Sequence, residues 1–233
     1  MNFQRQERIF NPEEQKTKLI VVGCGSVGSF TILNLCKLGF NNIVAIDFDK
    51  VSVENIPNQF YRIKDVDRFK TEALKEIVKE FTDTDISVVT KKIDDDYPLP
   101  ELASIDMNTI VIFALDSLEA RKIIYEQIKE YPIKLIDMGM GGEQYNIYVV
   151  NLNSEQEKRE YEKTFSYEES NLPCGEKSII YTILSIASEV TNIIKRIDKN
   201  ETYPKSIDRA MTSYKIVGGI ASIVEVENKQ EEN

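Results

Sequence analysis

Apolar residues along this chain fall into short runs, separated by charged segments in which they recur at helical spacing. Lys18 to Val22 is an apolar run that ends in glycines, and Val27 to Leu38 carries apolar residues with helical period. Asn42 to Asp47, Ile86 to Thr90, Thr109 to Ala114 and Ile133 to Asp137 read as further buried strands. Between them, Lys64 to Phe81 and Ser117 to Glu130 read as helices, the first with Val66, Leu74, Ile77 and Val78 as its buried side. Alternating strand and helix patterns predict parallel strands joined by crossover helices, a doubly wound α/β domain of Rossmann-like kind. Ligands in such sheets sit beyond the carboxyl ends of the strands.

The pattern changes after residue 137. Met138 to Gly142 reads as a glycine-rich turn, and Tyr145 to Leu152 alternates like a strand able to run antiparallel. Asn153 to Pro173 is polar and charged and predicts an exposed crossover loop or mobile lid. Ile179, Ile183, Ile186, Val190, Ile193 and Ile197 form one stripe of a long helix, and Lys215 to Val226 reads as a last antiparallel strand or a hairpin around Gly218–Gly219. Residues 1–226 therefore read as one domain, with a frayed polar tail over 227–233.

Composition narrows the chemistry. Among 233 residues there is no histidine, so acid–base work falls to Asp, Glu, Lys, Tyr or water. The three cysteines, at 24, 36 and 174, form no Cys-x-x-Cys pair, so a zinc site of the usual kind lacks ligands. The formal charge is −10 and no basic run appears, which argues against nucleic acid as a partner. No apolar run is long enough to span a membrane and the polar N-terminus has no secretory segment, so a cytoplasmic protein without membrane partners is expected.

The sharpest local signal is Gly23-Cys24-Gly25-Ser26-Val27-Gly28, which follows a strand and opens a helix. Gly23 permits a tight turn, Gly25 lets the backbone approach a phosphate, and Gly28 lets helix and strand pack closely. The unpaired N–H groups of the helix start, around Ser26 and Val27, then face an anion. Asp47 ends the second strand, where its carboxylate can accept both hydroxyls of a ribose. Up to this point a dehydrogenase using NAD fits as well as an enzyme using ATP.

The run Asp47-Phe48-Asp49-Lys50-Val51 with Asn55-Ile56-Pro57-Asn58-Gln59 resembles the Asp-x-Asp-x-Val…Asn-Leu-x-Arg-Gln signature of the ThiF/MoeB/HesA family, relatives of the ubiquitin-activating enzymes. Asp67 to Ala73 resembles that family's phosphate-lysine segment, and Ala114 to Arg121 its Asp-Asn-x-x-x-Arg segment. Gln4 to Arg8 is similar to its N-terminal Arg-x-x-Arg-Gln, and Cys174 stands where some members carry a reactive cysteine. The resemblance implies ATP-dependent adenylation of a carboxylate with Mg²⁺. The substrate would be the C-terminus of a ubiquitin-like carrier, a peptide or a small metabolite. It also implies a homodimer.

The same resemblance distributes roles. Lys70 would neutralise the ATP phosphates. Asp116, preceded by Leu115 at the nucleotide, would hold Mg²⁺. Asp49, Asn55 and Gln59 would line the nucleotide, Arg5 or Arg8 would reach across the dimer, and Cys174 would accept the acyl group. Each has a plainer alternative. Lys70 could be solvated surface on a charged helix, Asp116 could cap the next helix, Asn55 and Gln59 could be turn residues, and Cys174 could be a small buried hydrophobe. Cys24 and Cys36 are expected to be structural. One departure stands out: Asn58 occupies the position of the family's arginine before glutamine, and Arg62 and Arg68 are candidate replacements. An ATP-binding regulatory module without adenylation, and an NAD-dependent oxidoreductase, remain the alternative functions.

Overall fold

The computed structural model describes residues 1–100, 104–166, 179–210, 214–217 and 220–223. A seven-stranded sheet forms its centre, in the order β3-β2-β1-β4-β5-β6-β7. Its strands are β1 (Lys18–Val22), β2 (Ile43–Ile46), β3 (Ser87–Val89), β4 (Thr109–Phe113), β5 (Lys134–Gly141), β6 (Gln144–Asn151) and β7 (Ser206–Ala210). The first five pair in parallel, and β6 and β7 add on antiparallel. The fold is thus the expected Rossmann-like α/β sheet with antiparallel C-terminal strands. Chain direction across the sheet reverses between β1 and β4, the switch point at which such sheets open a crevice.

The strands are apolar throughout because helices cover both faces. Leu19 and Val21 of β1 look into one core, with α1 (Ser26–Leu38), α2 (Lys70–Thr82) and α5 (Ile180–Asp198). Ile20 and Val22 look into the other, with α3 (Leu118–Ile128) and α4 (Glu155–Glu162). Successive strand residues point to opposite faces, so a run apolar at every position marks a sheet buried on both sides. The expected α5 stripe buries Ile183, Ile186, Val190 and Ile193. Each such side chain contributes about 1.5–3 kcal/mol. Ile197 is half-buried against the same core, and Ile179 is 38% exposed just before the helix.

Three expectations need correction, and one strand was not expected. The helix read over Lys64 to Phe81 begins only at Lys70, and Val66 is half-buried. Asp65 closes a separate turn by accepting the Arg62 N–H, and Asp67 takes a left-handed φ of 70°, which breaks helical continuity. Met138 to Gly141 is not a turn. It continues β5, and the hairpin to β6 turns only at Gly142–Glu143, with Gly142 at φ 61°. A side chain at Gly139 would collide with Asn146 on β6, so this glycine makes room for a cross-strand neighbour. The first half of the segment read as a loop over 153–173 is α4 and a following turn, capped by Ser154, with Lys158 and Tyr161 buried. The rest of that segment and Cys174 lie outside the described residues. β7 was not foreseen. The expected C-terminal hairpin is present as β8 (Tyr214–Val217) and β9 (Ile220–Ile223), while Gly218–Gly219 and the tail lie outside the described residues.

Candidate nucleotide site

β1 delivers the chain into the switch point, and the glycines there have distinct jobs. Gly23 has φ 99°, and a β-carbon on it would lie 2.2 Å from the Ala114 carbonyl oxygen at the end of β4. A β-carbon on Gly28 would lie 2.0 Å from the Gly23 carbonyl oxygen. These two glycines let β1, α1 and β4 close on one another. Gly25, the residue before α1, is different: nothing lies within 4 Å of the place where its β-carbon would be. Space is open above the helix N-terminus, and the cap there comes from no side chain, so its N–H groups can meet an anion.

β2 brings two aspartates beside this loop. Asp47 accepts the Cys24 N–H at 2.7 Å and the Asp49 N–H at 2.8 Å. Burial pushes its carboxyl up, opposed by the Lys70 charge and by those two N–H groups. Each carboxylate oxygen has a second lone pair, so both can still accept a hydroxyl. Lys70, at the first turn of α2, is 7% exposed and its Nζ lies 2.9 Å from Asp49 Oδ2. The cation read as a phosphate ligand is thus present at the loop but is held by an aspartate.

β4 ends at Phe113, hydrogen-bonded alongside the loop through the Ala114 N–H and Val22 carbonyl. Leu115 and Asp116 follow directly. Asp116 is exposed, and the cap of α3 is Ser117, whose Oγ accepts the Ala120 N–H at 3.2 Å. Asp116 is therefore not the cap of α3, and its carboxylate faces solvent at the strand end.

The connection after β2 folds back on the loop. Tyr61 donates its hydroxyl to the Cys24 carbonyl at 2.6 Å, and the Phe60 N–H donates to Ser29 Oγ on α1. No local pattern announced Tyr61. Asn55 Oδ1 accepts the Ser52 N–H at 3.0 Å and so closes its own turn, while Gln59 Oε1 is buried without a hydrogen bond. Arg62 and Arg68, the candidate replacements for the missing arginine, both pair with carboxylates of the connection and of α2. Arg62 binds Asp65, Glu76 and Glu80, and Arg68 binds Asp65 and Glu76. Cys24 in the loop and Cys36 near the far end of α1 are both buried. Cys24 is fully buried with its thiol pushed up by burial and then by Asp47, and burial pushes Cys36 up to about 12.

Arg5 and Arg8 lie elsewhere. Their segment packs on the far end of α1, where Phe10 stacks on Phe40 at 5.1 Å and Gln6 donates to the Leu38 carbonyl. The 13 residues of α1 separate that end from the glycine loop by about 20 Å. Both arginines are exposed there.

The model of the ThiF family matches residues 4–233. The chain belongs to the ThiF family. Among curated relatives, it is 33% identical over 109 residues to the NEDD8-activating enzyme E1 catalytic subunit of Arabidopsis thaliana, covering 46% of this chain and 23% of that protein. It is 28% identical over 145 residues to the tRNA threonylcarbamoyladenosine dehydratase of Haemophilus influenzae, covering 59% and 54% respectively. The chain thus spans from about a quarter to about half of these relatives. Among solved structures, PaaA aligns with a TM-score of 0.68 at 18% identity, over 88% of this chain and 64% of PaaA. E. coli MccB with AMPCPP and MccA aligns with a TM-score of 0.65 at 14% identity, over 92% and 68%. At those identities the structures establish the shared fold.

Proposed function

We propose that this ThiF-family protein activates a carboxylate by ATP-dependent adenylation. The observation carrying this reading is the arrangement at the switch point. An open helix N-terminus at Gly25 after β1, a buried lysine at the start of α2 and an exposed aspartate beyond β4 converge there. NAD alone has no use for that lysine and that aspartate together.

The residues fit Mg-ATP. Asp47 would hold the ribose, the N–H groups of Ser26 and Val27 the phosphates, and Asp116, with Leu115 beside it, would place its carboxylate at the metal. Bound Mg²⁺ would supply charge neutralisation as phosphate charge builds up. The substrate carboxylate is ionised at neutral pH and attacks the α-phosphorus, so pyrophosphate leaves and an acyl adenylate forms. No general base is required, which suits a chain without histidine. Positioning and electrostatics carry the rest. The relatives named as activating NEDD8, and MccB solved with MccA, favour a carrier protein or peptide as substrate over a small metabolite.

The far placement of Arg5 and Arg8 favours their acting on a second copy, in a homodimer. Light scattering tests this, and a monomer at micromolar concentration rejects it. Transfer of the acyl group to Cys174 is a separate step. If it occurs, Cys174→Ser keeps pyrophosphate exchange and loses a hydroxylamine-sensitive adduct. A second function has one observation in its favour. With Asn58 in place of arginine, and Arg62 and Arg68 engaged by Asp65, the chain could bind ATP as a regulatory module. Calorimetry with Mg-ATP and with NAD, followed by ATP–pyrophosphate exchange with Gly-Gly-ending carriers and peptides, decides among these. Tighter binding of NAD rejects adenylation outright. Binding of Mg-ATP without exchange supports the regulatory module.

A further inference from the structure

The turn that carries Asp116 is not held by its own strand alone. Arg121, one turn into α3, donates from Nε and Nη2 to the Leu115 carbonyl, the Nε bond measuring 3.1 Å. Its Nη2 also donates to the Met138 carbonyl at 2.9 Å, and its Nη1 lies 3.0 Å from both carboxylate oxygens of Asp137 on β5. Asp137 is 2% exposed. The hydroxyl of Tyr161, from α4, donates to Asp137 Oδ2 at 2.9 Å. Tyr161 is itself buried, with its ring 5.2 Å from that of Tyr125 and 5.0 Å from that of Phe165. Its hydroxyl has a fixed direction. Three side chains therefore run in series from α4, through β5 and α3, to the peptide immediately before Asp116.

Stability alone is a weak reason for such a chain. Apolar residues of similar volume often replace a buried ion pair without loss, and sometimes with gain. Here the guanidinium fork is directed at the carbonyl next to an exposed carboxylate. A carboxylate that is to bind a metal must be held to within a fraction of an ångström by groups whose own positions are fixed.

We propose that Tyr161, acting through Asp137 and Arg121, is a positioning residue that sets Asp116 for the metal of the nucleotide site. This rests on the reading of Asp116 as the metal carboxylate. Tyr161→Phe keeps the ring and removes one hydroxyl, so Asp137 loses a partner and Arg121 loses part of its anchor. Arg121→Lys keeps the charge for Asp137 but loses the fork to Leu115. Binding of Mg-ATP, of ATP with EDTA, and of AMP is measured by calorimetry on the full chain, with melting temperature as the check on folding.

Both variants should weaken Mg-ATP by about tenfold, the scale of one hydrogen bond to a charged group. ATP in EDTA and AMP should change by less than about twofold. In an Asp116→Asn background, Tyr161→Phe should add nothing further. Equal weakening of all three nucleotides, or a Tyr161→Phe effect that persists without the Asp116 charge, overturns the relay alone. A wild-type chain that binds ATP equally with Mg²⁺ and with EDTA overturns the metal reading of Asp116 and the relay with it.

Discussion

Gly25 and Gly28 stand three residues apart in one loop, yet the space around them predicts opposite behaviour on substitution by alanine. At Gly28 the new methyl would meet the Gly23 carbonyl oxygen at 2.0 Å and Ala114 Cβ at 3.1 Å. The first of these is backbone, so roughly an ångström of loop movement is required. Alanine gains about 1 kcal/mol over glycine inside a helix. Overpacking costs about 1–3 kcal/mol, and a backbone obstacle puts this site at the upper end. Gly28→Ala should lose about 2 kcal/mol net, melt some 4–8 °C lower, and bind ATP poorly because the loop has moved. At Gly25 no atom lies within 4 Å and φ is −74°. The free protein should lose about 1 kcal/mol or less, the cost of alanine at a helix cap. The methyl would then stand where a phosphate oxygen approaches the N–H groups. Losing one charge-assisted hydrogen bond there costs about 1.5–3 kcal/mol, so ATP affinity should fall ten- to hundredfold. Thermal melts paired with calorimetric titration of Mg-ATP read both quantities. A folded Gly25→Ala protein that binds Mg-ATP like the wild type would show that the phosphates do not pass over this glycine.

Other substitutions follow from the same geometry. Asp116→Asn keeps the size and does not disturb the α3 cap, which belongs to Ser117. Pyrophosphate exchange should fall about a hundredfold or more with an unchanged melting temperature, and retained exchange would reject the metal role. Lys70→Met should weaken ATP more than AMP in calorimetry, because its ammonium would serve the outer phosphates; equal losses would mean the lysine is misplaced. Asp65 is buried between Arg62 and Arg68. Burial alone would push its carboxyl up, but the bonds and charges of the two arginines outweigh it and hold it below the ordinary 3.8. Its stabilising contribution is therefore complete above that pH and is lost as pH falls through the lowered value. Asp65→Asn should flatten that acid-side loss in pH-dependent melts. It should cost about 2–3 kcal/mol, less than the 3–5 of a fully buried broken pair, since both arginines keep Glu76.

The sheet was legible because burial on both faces leaves an uninterrupted apolar run, as in Leu19-Ile20-Val21-Val22, and no other element of this length looks the same. The glycine loop and Asp47 were legible because their spacing follows from the backbone geometry of a strand–helix turn. β7 was hidden because Ser206 to Ala210 offers Ile207 and little else apolar, and gains its place by pairing with β6. α4 was hidden because most of its residues are charged and only Lys158 and Tyr161 are buried. The links Tyr161–Asp137 and Tyr61–Cys24 join residues far apart in sequence. Periodicity reports which face a residue occupies, not which distant atom its hydroxyl will reach.

Four cations around the loop each pair with a carboxylate of the chain. Lys70 is held by Asp49, Arg62 and Arg68 by Asp65 and Glu76, and Arg121 by Asp137. In the proposed complex a triphosphate would meet a protein of formal charge −10 whose loop lysine, Lys70, already pairs with Asp49. If Lys70 turns to phosphate, Asp49 is left as an uncompensated carboxylate close to Asp47. A divalent cation delivered with the nucleotide would offset that repulsion. Nucleotide and metal binding should then be coupled, and equally so in both directions. Asp49→Asn tests the coupling, since it frees Lys70 and removes the stranded charge together. Metal-free ATP should bind about fivefold to tenfold more tightly than to the wild type, the low end of a typical coupling free energy. The gain on adding Mg²⁺ should shrink by the same factor. Calorimetric titration of both proteins with and without EDTA measures the two factors separately. An Asp49→Asn protein with unchanged affinity for metal-free ATP would mean that Lys70 keeps Asp49 throughout and that the phosphates rely on the helix N-terminus alone.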